Sequence, residues 1–176
     1  MLMLKLSANL RNLNVVSLRS GATVAIAVQP IINPHNLKIL GWWCKSPMSP
    51  NQLVLLSDDV REQQAGGLII NDEEDLTAAE DLARHKKILD IDFELIGKLV
   101  KTKRSKLGKV SDFSYNDGML VQKMYVERPL TKVFSTEATL LIDRSQIIEV
   151  TDNYILVKDS DVKATEAEFA GATAPV

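Results

Sequence analysis

Residues 95–126 read LIGKLVKTKRSKLGKVSDFSYNDGMLVQKMYV. Apolar positions alternate with polar ones on both sides of a polar turn at 103–106. Asn116-Asp117-Gly118 then supplies a second turn ahead of the alternating run Met119 to Val126. Alternation with a period of two places successive side chains on opposite faces of a strand, and an Asn-Asp-Gly cluster between such runs marks a reversal. The stretch therefore predicts a β-meander.

Working outward, the segment from Leu10 to Val28 has the same grammar. Leu13, Val15 and Val16 precede a turn at Arg19-Ser20-Gly21, and Thr23, Val24, Ile26 and Val28 follow it, which predicts a hairpin. Pro30, Asn33, Pro34 and Asn36 punctuate a loop, Leu37 to Cys44 forms a strand, and Ser46 to Asn51 a second loop. Leu53–Leu56 and Leu68–Ile70 complete five or six strands. The second half repeats this plan. Leu13-Asn14-Val15-Val16 aligns with Ile96-Gly97-Lys98-Leu99, Leu37 to Cys44 with Met119 to Val126, and Asp58 to Asp72 with Ser145 to Asp159. In this alignment Asn14 stands at Gly97 and Ala25 near Gly108.

Between the copies, residues 76–90 are expected to form a helix. Thr77 and Glu80 have capping-box spacing, Glu80 and Arg84 stand one turn apart, and Ala79, Leu82, Ala83 and Leu89 make an apolar stripe that must pack on something. The small and polar residues 163–176 are expected to be a disordered tail.

In the second half, the order Gly97, Leu107-Gly108-Lys109-Val110, Asp112-Phe113 and Asp117-Gly118 resembles the opening of the PRC-barrel family. That module occurs in ribosome-maturation factors and in the photosynthetic reaction-centre H subunit. The resemblance implies a mostly β protein: two small PRC-barrel-like β-barrels, residues 8–75 and 93–162, joined by one α-helix over 76–92. It also implies a docking role without catalytic residues, with a protein partner bound through barrel surfaces. The alternative is a ribosome-maturation or RNA-processing accessory factor that engages a ribosomal protein, rRNA or a ribosomal subunit.

Two features are candidate contact sites. Trp42 and Trp43 are adjacent in a strand, so only one indole can point into the barrel, and the other is either a partner anchor or covered by the chain itself. Lys101, Lys103, Arg104 and Lys106, with Lys98 and Lys109 beside them, form a cluster free of acidic residues that would attract a polyanion. The bland reading is a solvated hairpin whose lysines guard a sheet edge. The formal net charge of -2 leaves any such affinity to this local patch.

No enzyme, cofactor or metal is expected. The chain has no glycine-rich phosphate loop and no nucleophile elbow, and His35 and His85 stand apart from other ligand types. The acidic run 72–75 lacks the spacing and central glycine of a calcium loop. Cys44, the single cysteine, rules out an internal disulfide. With no run approaching the roughly 20 apolar residues of a membrane span, the expected location is the cytoplasm.

Overall fold

Alternating burial shows how the strands are laid. In the strand Leu13–Ser17, residues 13, 15 and 17 are buried while Asn14 is exposed. In the computed structural model, which describes residues 3–129 and 139–159, this pattern builds two curled half-barrel sheets. The chain divides into two units, Lys5–Phe93 and a second that runs from Glu94 and includes residues 3–4.

The first unit contains β1 (Lys5–Leu6), β2 (Leu13–Ser17), β3 (Thr23–Ile32), β4 (Ile39–Lys45), β5 (Leu53–Leu56), β6 (Val60–Gln64), β7 (Gly67–Ile70), β8 (Leu76–Ala78) and the helix α1 (Lys86–Ile91). Its sheet has the order β6-β7-β2-β3-β4-β5-β8. The second unit contains β9 (Leu99–Lys101), β10 (Lys106–Tyr115), β11 (Val121–Glu127), β12 (Thr139–Asp143), β13 (Ile147–Val150) and β14 (Tyr154–Val157). Its strands follow the order β12-β11-β10-β9-β14-β13.

The two orders are one plan traced twice. In each, the first long hairpin continues into a third and fourth antiparallel strand, and a later strand returns to lie parallel beside the first: β7 on β2, and β14 on β9. Registers make the equivalence exact at the residue level. Ala27 opposite Cys44 corresponds to Val110 opposite Val126, with a bulge immediately after each. Trp42 opposite Leu55 corresponds to Met124 opposite Ile142. The match of Asp58–Asp72 to Ser145–Asp159 is in register, since Val60 opposite Ile70 has its counterpart in Ile147 opposite Val157.

The first strand needs a correction. The parallel ladders pair Val15 with Leu68 and Val100 with Ile155, so Val15 is equivalent to Val100 and Asn14 to Leu99. The counterpart of Gly97 is accordingly Asn12, not Asn14. Both have positive φ, 84° and 53°, and asparagine is among the few residues that tolerate this region. The same logic places Leu37 (φ 55°) on Met119 (φ 57°) at the turns before β4 and β11. Gly118 does not take the left-handed conformation in its turn; Met119 does.

Pro30 also differs from expectation, lying within β3 opposite Trp42 rather than in a loop. The ladder of β2 on β3 ends at Leu13 opposite Ala27, so Pro30 sits past the end of β2 where no ladder N–H is required on that side.

The helix expected over residues 76–90 is mostly something else. Leu76–Ala78 is a strand paired antiparallel to β5, with Thr77 opposite Val54, and only Lys86–Ile91 is α-helical. Tertiary pairing overrides a local helix preference of a few tenths of a kcal/mol per residue. The capping box forms earlier: the Asp72 side chain accepts from the Glu74 N–H, and that of Asp75 from the Asp72 N–H. Ala79, Leu82 and Leu89 do pack, on a cluster with Ile31, Val54 and Trp43, whereas Ala83 is exposed. Residues 76–93 thus belong to the first unit. The tail expected over 163–176 lies outside the described residues.

Candidate functional site

Strand β4 sends its two tryptophans to opposite faces. Trp42 is fully buried, and its indole Nε1–H donates to the Leu10 carbonyl at 3.0 Å. That bond satisfies the one polar atom of a large core side chain. Trp43 is half-buried on the other face and packs against the cluster of Ile31, Val54 and Leu89. The structure therefore places Trp42 in the core, and Trp43 under the segment that carries Ala79, Leu82 and α1. Cys44, next in the strand, is buried, and burial pushes its thiol up to about 12. Such a thiol is not a nucleophile near neutral pH.

The basic residues separate into two groups. Lys103 and Arg104 form the exposed tip between β9 and β10, a turn closed by the Thr102 N–H donating to the Ser105 carbonyl at 2.8 Å. The Thr102 hydroxyl oxygen accepts from the backbone N–H groups of Arg104 and Ser105. Arg104 lies 3.9 Å from Asp159, an exposed pair that adds little. Lys101 and Lys106 stand directly opposite each other on the outer face, a like-charged pair that disfavours the ladder unless relieved. Relief comes from the next strand. The Lys101 Nζ sits 3.6 Å from the centre of the Tyr154 ring, a cation–π contact.

Sequence reasoning did not include Tyr154, because the residue that meets Lys101 comes from the other end of the unit. Only the parallel pairing of β14 on β9, with Tyr154 opposite Leu99 and Leu156 opposite Lys101, brings them together. The resulting outer face carries Leu99, Tyr154 and Leu156, all half-buried, with Lys101 across the ring and exposed Lys106 and Lys109 at its side. Glu127 stands opposite Lys109, and Glu149 opposite Leu156, so acidic groups border the patch. The arrangement is a sheet surface of mixed apolar and basic character.

The acidic run 72–75 acts structurally, through the capping bonds above and the Arg19–Asp72 ion pair at 2.5 Å. The Arg19 guanidinium holds the Asp72 carboxyl below its ordinary range. Among the described residues no group of three or more His, Cys, Asp or Glu side chains could hold a metal ion, and no helix is long and apolar enough to cross a membrane. In comparisons with known proteins, the chain matches no family model and no curated sequence.

Proposed function

We propose that this chain is a tandem PRC-barrel-like docking protein, which works by presenting sheet surfaces to a protein partner rather than by catalysis. The observation that carries this reading is the outer face of β9 and β14. A tyrosine and two leucines lie half-buried there, and the Lys101 ammonium lies over the tyrosine ring. Tyrosine is a frequent interface anchor because it offers large area at low entropic cost, and here the β14–β9 pairing sets it beside two leucines on one sheet face. The test is a photo-cross-linker placed at exposed Lys109 of the full chain, used in cell extract. A discrete protein adduct is expected, reduced at least tenfold by Tyr154→Ala with Lys101→Glu. An adduct of unchanged yield would sink the assignment of this face.

A second reading has its own observation. Lys103, Arg104 and Lys106 are all exposed around one turn, as a phosphate-binding tip requires, which favours contact with RNA in a ribosome-maturation role. Reversing the charge at Lys103 and Arg104 would then lower retention on RNA and flatten its salt dependence. Retention indifferent to both charges removes this reading.

A further inference from the structure

The first unit shows what this sheet needs in order to fold, and so separates, in the second unit, the residues the ladder requires from those it does not. The hairpin ladders match residue by residue, each with a bulge at the same place. Asn14 opposite Ile26 corresponds to Leu99 opposite Lys109, and Val16 opposite Thr23 to Lys101 opposite Lys106. The parallel ladders add Gly67 at the place of Tyr154 and Ile69 at that of Leu156. Two equivalent rows therefore cross the outer face of each sheet. In the second unit they are Glu127, Lys109, Leu99, Tyr154 and Lys106, Lys101, Leu156, Glu149. In the first they are Lys45, Ile26, Asn14, Gly67 and Thr23, Val16, Ile69, Glu62.

The same backbone is thus built without any of the three lysines and without the tyrosine. Val16 opposite Thr23 is a β-branched pair that suits a ladder, whereas Lys101 opposite Lys106 sets like charges against each other. Folding alone favours the first arrangement, so the lysine pair is held at a cost to stability. Edge protection does not account for it, because β9 and β10 are inner strands with a neighbour on each side. Nor are the charges neutralised. Among the described residues, Lys101, Lys106 and Lys109 make no ion pair, although Glu127 stands opposite Lys109 in the ladder. Three cations thus lie side by side next to Leu99, Tyr154 and Leu156 on one face.

We propose that this face binds a short acidic segment of the protein partner, with its carboxylates over Lys101, Lys106 and Lys109 and an adjacent apolar side chain against Leu99, Tyr154 and Leu156. This rests on the docking reading above and names the partner's chemistry. Ionised carboxylates make the stronger, charge-assisted hydrogen bonds with lysine, and complementary charge selects the partner. Nucleic acid fits the face less well. A stacked base needs an open ring face, and here the Lys101 ammonium lies 3.6 Å from the centre of the half-buried Tyr154 ring. Glu127 ends one row and Glu149 ends the other on the opposite side. A uniformly charged phosphate backbone crossing the strands meets one of these carboxylates, whereas a peptide carries negative charge only where the lysines are.

The probe is a library of random short peptides displayed on phage, selected on the full chain at moderate salt, with the consensus peptide then synthesised with a fluorescent label. Enriched peptides should carry clustered Asp or Glu beside an apolar residue. Lys101→Val with Lys106→Thr, which installs the pair used by the first unit, should weaken the affinity measured by anisotropy at least tenfold and leave the urea midpoint unchanged or higher. Replacing the peptide's Asp and Glu by Asn and Gln should weaken it as much. Four results overturn the proposal: no enrichment of acidic residues; an affinity indifferent to the double variant; a lower urea midpoint in that variant, which makes the lysine pair structural; or a labelled oligouridylate that binds more tightly than the peptide and depends on the same two lysines, which makes RNA the occupant. A cross-linked partner at Lys109 that depends on Tyr154, alongside enriched peptides free of carboxylates, defeats the acidic segment and leaves the docking reading standing.

Discussion

At the scale of single residues, neighbouring side chains in β4 have separate consequences. Trp42→Ala removes a fully buried indole and leaves the Leu10 carbonyl without its donor. A loss of about 3–5 kcal/mol is expected from urea unfolding, by the usual cost of emptying a large core site. Trp43→Ala, at a half-buried site, should cost less than half of that. Equal losses would show that the two faces of β4 are equally buried. Cys44 gives a second test. With its thiol pushed up to about 12 in the fold against an ordinary 9.0, it should resist thiol reagents near pH 8 until the chain is unfolded. The linked stability is fully present below about pH 9 and declines as pH rises toward the folded value, because the unfolded chain releases the proton first. Cys44→Ala should remove that part of the alkaline decline, followed as the urea midpoint from pH 8 to 10.

At the scale of elements, the strands were legible in the sequence and the register was not. Period-two alternation located β2 to β5, β7 and β9 to β11 but not β6, β8 or β12, and the Asn116-Asp117-Gly118 cluster located the turn before β11. Asn12 was missed as the partner of Gly97 because side-chain identity carries little information at a position selected for backbone conformation. Tyr154 was missed because parallel pairing leaves no local trace. The helix over 76–90 was misread because Thr77, Glu80 and Arg84 satisfy helix rules that the pairing of β8 on β5 overrides. The repeat makes a quantitative prediction: Gly97→Asn should be tolerated within about 1 kcal/mol, since asparagine holds the equivalent site, while Gly97→Val should cost more than about 2 kcal/mol. Gly108→Ala should be more damaging still. Its φ is 152°, and an added Cβ would meet the Glu127 carbonyl oxygen on β11. Thermal melts of the three variants rank these costs, and a Gly97→Val chain as stable as Gly97→Asn would contradict the assigned equivalence.

At the scale of the whole molecule, similarity between the two sheets carries a hazard as well as an economy. Two copies of one strand order on one chain offer wrong partners during folding, since β3 could seek β11 and β10 could seek β4, and repeat proteins are prone to such misassembly. The registers give one place where an exchanged pairing would be mismatched. Pro30 occupies the site equivalent to Phe113, and Trp42 the site equivalent to Met124, so an exchanged hairpin would put a tryptophan opposite a phenylalanine in one core and a methionine opposite a proline in the other. At this level of the sheet each strand is mismatched in volume to its counterpart's partner, so divergence between the halves disfavours an exchanged hairpin.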